Sequence, residues 1–232
     1  MLTKSHHGCG GTTRLNEEDE MKRILLWMLL VVGAANAQSA DDSVFGTHWV
    51  IFEPVQVAGE LQGCSLVYLA VQADRRYLNG DQVAINGSIN ISTALDNKLG
   101  MMLKVGLRNL SKGTPFERPY FAYLQTTSFS TNKVRQQSKD GDPGYKLFVY
   151  NVAEPTILKM LEEMLSTGKV SIGYNRKKDG LDVLVPLDLF VADSDYTGDG
   201  KVIRKTSPDG LLKFHECFSQ VAERLLNKIG EK

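Results

Sequence analysis

The sequence has few of the residues that build catalytic and metal sites. Its 232 residues include three cysteines and four histidines, and none of these stands in the two-plus-two spacing of a zinc site. No phosphate-binding loop, dinucleotide fingerprint or serine-hydrolase elbow occurs. The 27 basic and 27 acidic residues leave no net charge, which argues against nucleic acid and anionic membrane surfaces as partners. We therefore expect a protein without a cofactor and without a catalytic centre.

Long hydrophobic runs are also scarce, and the one that is present lies near the start of the chain. Two basic residues follow Met21, an apolar run covers 24–32, and small residues lead to Ala37. This order is typical of a secretory signal peptide that is cleaved between Ala37 and Gln38. Roughly ten apolar residues are too few to span a bilayer, which takes about twenty. The sequence thus predicts a signal peptide over 21–37, a periplasmic or secreted protein, and no membrane span after cleavage.

The segment before Met21 does not fit the logic of export. It is polar and ends in four consecutive acidic residues, whereas a signal peptide begins with positive charge. We interpret residues 1–20 either as the result of a misassigned start codon or as a disordered extension. The segment contains His6, His7 and Cys9, but this set lacks the ligand spacing of a zinc site.

Removal of the first 37 residues leaves two cysteines, Cys64 and Cys217. An isolated pair in an oxidising compartment is usually bonded, so the sequence predicts a Cys64–Cys217 disulfide. Two buried free thiols are the alternative. Such a bond would pin a C-terminal helix onto a central strand.

The hydrophobic pattern of the remaining chain predicts a fold that is mainly β. Alternating or fully apolar segments of strand length predict eight strands, over 47–57, 62–73, 82–92, 100–109, 119–130, 145–151, 169–175 and 181–187. The polar stretch 131–144 predicts an exposed loop. One helix is predicted from Pro155 to Gly168, and another after Ser207. We expect one α+β domain over 38–232, with antiparallel, β-sandwich-like sheets, one inserted helix and a C-terminal helix.

Two segments offer candidate site chemistry. Asp195, Thr197 and Asp199 stand at the first, third and fifth positions of a calcium-loop pattern. The acidic ligand at the twelfth position is replaced by Thr206, so an exposed turn between two strands is the favoured interpretation. His48 either lines a pocket or, as we expect, is a solvated neighbour of a core residue, Trp49.

Several elements together resemble a known group of proteins. A strand with Trp49, a cysteine strand from Cys64 to Ala73, a helix ending at Gly168, a hairpin, and a last helix with Phe214-x-x-Cys217 follow in this order. This arrangement is similar to small bacterial periplasmic proteins of the invasion-associated locus B type and to type VI secretion-associated proteins of similar build. The resemblance implies a β-rich periplasmic domain that has no catalytic residues.

The leading functional hypothesis is an exported, non-enzymatic binding or accessory protein that acts through its β-surface on a protein or cell-envelope partner. Export, a neutral balance of charge and the missing catalytic motifs support it. A secreted hydrolase with an unrecognised site and a calcium-stabilised structural domain are the alternatives. The sequence does not indicate the oligomeric state.

Overall fold

The computed structural model describes residues 44–95, 98–198 and 201–230. Eleven strands in this part of the chain are β1 Gly46–Val57, β2 Glu60–Asp74, β3 Asp81–Leu95, β4 Lys98–Asn109, β5 Phe121–Gln125, β6 Gln137–Asp140, β7 Tyr145–Asn151, β8 Lys169–Asn175, β9 Val183–Asp188, β10 Val191–Tyr196 and β11 Val202–Thr206. Helix α1 is Pro155–Thr167 and helix α2 is Asp209–Gly230. The signal peptide and its cleavage point at Ala37 and Gln38 lie outside the described residues.

The largest unit of the fold is a six-stranded antiparallel sheet with the order β1-β2-β3-β4-β7-β6. Its first two strands are joined by the two-residue turn Ala58-Gly59, and both residues have positive φ, 52° and 82°. A turn of this kind matches the right-handed twist of the paired strands. The second sheet has the order β5-β8-β9, and β10 pairs with β11 in a separate hairpin.

The core lies on the inward face of the six-stranded sheet. Residues directly opposite each other in neighbouring strands share a face, and two successive cross-strand rows are apolar and almost fully buried. These rows are Cys64, Ile91, Met101 and Tyr150, and then Leu66, Ile89, Leu103 and Phe148. The alternate residues form the outer face, which is mixed and includes Ser65, Ser88, Asn90 and Lys104.

The three-stranded sheet and the C-terminal helix α2 cover this inward face, which makes the fold β-sandwich-like. The Tyr150 hydroxyl donates a hydrogen bond to the Ala122 carbonyl of the other sheet at 3.4 Å, and burial raises the pKa of Tyr150 to about 12. Helix α1 buries Ile157, Met160, Leu161 and Met164. It ends at Gly168, whose φ of 65° suits a helix C-terminal glycine. The predicted fold class is therefore confirmed.

A buried ion pair joins one end of the two sheets. Asp74 is fully buried and accepts hydrogen bonds from Arg176 Nε at 3.2 Å and from the Tyr174 hydroxyl at 3.1 Å. Its other oxygen accepts from the backbone N–H groups of Arg76 and Tyr77. Burial, followed by the Asp74 charge, raises the pKa of Tyr174 well above its ordinary value. Since every Asp74 oxygen has donors, this cluster holds the fold together and is not an open site.

The predicted loop over 131–144 is wrong in part. Gln137–Asp140 forms β6, a short edge strand with every residue exposed. Its four polar residues carry no apolar alternation, so hydrophobic periodicity could not reveal it. Thr131, at the start of the predicted loop, is fully buried and not exposed. Its burial is possible because its hydroxyl hydrogen-bonds with the backbone N–H and C=O of Leu124. The strand predicted over 119–130 is also shorter than expected, with β5 covering only Phe121–Gln125.

Gly87 lies at a close approach in the middle of β3. It is the cross-strand partner of Tyr68 and Val105, and the Tyr68 hydroxyl crosses over it to donate to the Lys104 carbonyl at 2.8 Å. A Cβ added at Gly87 would stand 1.9 Å from that carbonyl oxygen and 2.7 Å from the Tyr68 hydroxyl oxygen. The absence of a side chain is therefore what lets Tyr68 lie across the strand.

We expect Gly87→Ala to lower the free energy of unfolding by about 2–3 kcal/mol, because the added methyl group forces β3, β4 or Tyr68 to move. Urea denaturation followed by fluorescence measures this change. Gly198→Ala is the matched control: a Cβ there meets nothing within 4 Å, and its effect is expected to stay within about 0.5 kcal/mol. Equal stabilities for the two variants would contradict the packing described for Gly87.

Candidate functional site

Two adjoining grooves flank the C-terminal helix at the hairpin end of β1 and β2. Each has a volume of about 420–440 Å³, which is within the range of ligand-binding clefts. They share Gly59, Leu61 and Arg224. The groove on the β1 side, called here the edge groove, is lined by Phe52, Pro54, Gln56, Gly59, Leu61, Lys213, Glu216, Cys217, Gln220 and Arg224.

One wall of the edge groove is the outer edge of the six-stranded sheet. Strand β1 is the terminal strand of that sheet, so alternate residues direct their backbone N–H and C=O groups away from it. Pro54 pairs with Cys64 in the ladder and has no N–H to give, which places its nitrogen on the outward side. Phe52 is two residues away and shares this orientation. Its N–H and C=O therefore point away from β2, on a residue that lines the groove.

The other wall is helix α2, which runs alongside β1 in the same direction. Near its start, a Cβ on Gly210 would stand 3.8 Å from the Val50 carbonyl oxygen. At its middle, the Cys217 and Cys64 sulfurs are 2.06 Å apart, with a Cα–Cα distance of 6.0 Å, in the geometry of a disulfide. Further along, Arg224 Nη1 donates to the Leu61 carbonyl at 3.3 Å. These three contacts set the width of the groove along its length.

The side chains on the groove flank of α2 are polar and carry excess positive charge. Gln220 and Arg224 follow Lys213 by seven and eleven residues, which is about two and three helical turns. The three side chains therefore lie on one flank of α2, the flank that also carries Cys217. Eleven residues at 1.5 Å each place Lys213 and Arg224 about 16 Å apart along the axis. Glu216 is the acidic residue of this groove. Within the described part of the chain, no carboxylate is at ion-pair distance from either cation.

A second polar arrangement surrounds His48, and it corrects the interpretation of this residue as solvated. His48 is 1% exposed, whereas Trp49 is only half-buried. The cause is a register irregularity in β1 between Thr47 and Trp49. It directs two successive side chains, those of Thr47 and His48, toward the interior. Strand periodicity alone does not show such a bulge, so the sequence predicted the opposite orientation.

Both ring nitrogens of His48 have partners. Nε2 lies 2.9 Å from the Val44 carbonyl oxygen, which can only accept, so this nitrogen carries the proton. Nδ1 then accepts from the Tyr196 hydroxyl at 3.0 Å, and the two rings stack with centroids 5.6 Å apart. Burial, and then the charge of Arg204, lower the pKa of His48. The imidazole is therefore neutral and buried, and its two hydrogen bonds join β1 to the β10–β11 hairpin and to the chain just before β1.

The calcium-loop candidates fall in the β10–β11 hairpin. The Asp195 carboxylate pairs with Lys205 Nζ at 2.7 Å. The Thr197 hydroxyl bonds to the backbone of Lys201 through its N–H and C=O. Asp199 lies outside the described residues. Among the residues that the structure covers, no group of three or more His, Cys, Asp or Glu side chains is arranged to hold a metal ion.

Comparisons with protein-family models, with curated proteins and with solved structures found no match to this chain. The resemblance to periplasmic proteins of the invasion-associated locus B type therefore stays a prediction. Neither helix in the described ranges is long and apolar enough to cross a membrane.

The sequence predicted the Cys64–Cys217 pair but not the groove beside it. Strand and helix patterns do not show which edge of a sheet remains uncovered. The sequence therefore does not predict Phe52, Lys213 and Arg224 as residues of a site. Two signals in the sequence bear on the groove. Pro54 interrupts an otherwise β-rich strand and predicts an edge or bent strand, and β1 is an edge strand. Two cations share the helix flank of a cysteine expected to be bonded.

Replacing Cys64 and Cys217 together with alanine should lower the free energy of unfolding by up to about 5 kcal/mol. The pair closes a loop across a sequence separation of 153, and the chain-entropy model gives this limit. Urea denaturation with and without dithiothreitol measures the effect. Dithiothreitol should move the wild-type curve toward that of the variant and leave the variant unchanged. A wild-type curve insensitive to reductant would contradict the cross-link.

Acidification should destabilise the protein partly through His48. Its folded pKa is lowered, so below the ordinary value of about 6.5 the unfolded chain binds a proton that the folded one resists. This contribution is complete above that value and is lost as the pH falls toward the folded pKa. We expect the melting temperature of His48→Gln to depend less on pH than that of the wild type between pH 7.5 and 5.5. Parallel curves would contradict this assignment.

Proposed function

We propose that this protein is an exported, non-enzymatic binding or accessory protein that acts in the bacterial periplasm, or after secretion, on a protein or cell-envelope partner. The observation that carries the proposal is the edge groove, a cleft between an open sheet edge and a helix. The cleft presents backbone groups and two cations without a carboxylate partner in the described chain. Such a cleft can recognise a polymer segment by hydrogen bonds and charge.

The contacts of His48 favour a binding function for this protein over a hydrolase function. His48 is stacked against Tyr196 and has a backbone carbonyl on its other nitrogen. The edge groove itself contains Lys213, Glu216 and Arg224 as its charged side chains, together with a cysteine that is bonded to Cys64. A bonded cysteine supplies no thiolate nucleophile.

Site-specific photo-cross-linking tests the proposal. The purified oxidised protein, with p-benzoylphenylalanine in place of Gln220, is irradiated in an envelope extract of the source bacterium, and the products are identified by mass spectrometry. We expect one discrete adduct from Gln220 and none from the same probe at Lys159, an exposed residue of α1. Lys213→Glu should reduce the adduct yield about five- to tenfold, whereas Lys178→Glu at the exposed β8–β9 turn should preserve it.

Two results would overturn the proposal. One is an equal adduct pattern from Gln220 and Lys159, which would remove the groove as the place of contact. The other is reproducible turnover of an ester, peptide or glycan substrate that a single substitution abolishes, which would show a hydrolase. Lys213→Glu is expected to fold normally, because Lys213 is exposed on the surface of α2 and a surface substitution of this kind changes stability by about 0.5 kcal/mol or less.

A further inference from the structure

The chemistry of the edge groove indicates the class of partner, and the inference here rests on the function proposed above. We propose that the groove takes an extended peptide segment of a protein partner, which adds as a strand to the edge of β1 beside Phe52 and places a carboxylate against Lys213 or Arg224.

Strand addition follows from the backbone on the β1 side. The first part of β1 is already covered: the Ser194 hydroxyl bonds to the His48 carbonyl at 2.5 Å, and Arg204 bonds to the carbonyls of Thr47 and Phe45 at 2.7 and 2.6 Å. The groove lies along the following residues, from Phe52 to Gln56. Outward N–H and C=O groups on a terminal strand are the groups that an added strand pairs with.

The pairing has a particular pattern because of Pro54. Phe52 can donate its N–H to the added chain and accept through its C=O, whereas Pro54 can only accept. A bound peptide therefore gains a ladder that starts firmly at Phe52 and has one missing bond at Pro54. The same proline weakens pairing between the β1 edges of two copies of this chain. Both copies would lack the backbone N–H at Pro54, so two hydrogen bonds of the shared ladder would be missing.

The dimensions of the two walls fit a short peptide. Four residue steps from Phe52 to Gln56 span about 13 Å at 3.3 Å per residue. The two cations on α2 are about 16 Å apart along the helix. A strand of five or six residues would thus reach from one cation to the other, with alternate side chains directed toward α2.

The charge of the groove specifies an acidic group on that peptide. Lys213 and Arg224 outnumber Glu216, and an Arg224 guanidinium that already donates to the Leu61 carbonyl is held in position for a second acceptor. A carboxylate, whether an acidic side chain or a chain end, complements this excess. A fatty acyl chain would leave both cations and the β1 backbone groups without partners.

A phage-displayed library of random seven-residue peptides is first selected for binding to the oxidised protein. The selected sequences are then synthesised as fluorescently labelled peptides. We expect the selected peptides to carry a carboxylate. Anisotropy titrations should show binding weakened about five- to tenfold by Lys213→Glu and unchanged by Lys178→Glu. N-methylation of alternate peptide amides should weaken binding about tenfold, whereas the intervening positions should have little effect.

Amide hydrogen exchange separates strand addition from other ways of binding. A bound peptide should slow exchange of the Phe52 N–H about tenfold or more, while the N–H of Ile51 or Glu53, which faces β2, should change little. If peptides bind at the groove but N-methylation and Phe52 exchange show no effect, the strand-addition mode is overturned and the proposed function stands.

Other outcomes are equally decisive. Selected peptides without a carboxylate, or no selected peptide together with a Lys213-dependent cross-link to an envelope partner, would overturn the inference alone. Loss of both the peptides and the cross-link would overturn the proposed function as well. Sedimentation velocity that shows a dimer dissociated by Lys213→Glu would assign the edge to a second copy of this chain.

Discussion

The bond between Cys64 and Cys217 is the constraint on which the rest of the candidate site depends. Cys64 lies in a fully buried row of the central sheet, and Cys217 lies at the middle of a helix whose apolar stripe, including Phe214 and Phe218, packs on the same face. Apolar packing alone allows a helix to slide along a sheet, because it is not directional. A covalent link at one point, with Arg224 bonded to Leu61 further along, sets both the distance and the direction of α2 relative to β1.

A second constraint is the way in which the two edge strands of the six-stranded sheet are kept from pairing with other chains. At one end of the six-stranded sheet, β6 is a short strand of exposed polar residues, which discourages pairing with other chains. At the other end, β10 and β11 cover the beginning of β1 through Ser194 and Arg204. Further along β1, Phe52, Pro54 and Gln56 line the edge groove. Exposed backbone therefore coincides with the one part of this edge that also has a helix wall and two cations.

The fold was more predictable from the sequence than the site because burial has a periodic signature. Cross-strand rows such as Leu66, Ile89 and Leu103 produce the alternation that predicts strands, and Pro155 with Gly168 marks the bounds of α1. Features held by backbone geometry or by polar contacts leave no such trace. The bulge that buries His48, the hydroxyl contacts that bury Thr131, and the polar strand β6 all belong to this group. The edge groove belongs to it too, since it depends on which strand ends a sheet.

The recognition role proposed above draws on the same features. Two buried ionisable groups, Asp74 and His48, have their hydrogen-bonding atoms engaged by neighbouring residues. Groups engaged in this way contribute to the stability of the fold. Beside the edge groove, the Phe52 backbone and the cations of α2 are accessible, together with Gln56, Glu216 and Gln220. Backbone groups and long cationic side chains give hydrogen bonds and charge pairing over a length of about 15 Å, which matches the length of the extended peptide proposed above.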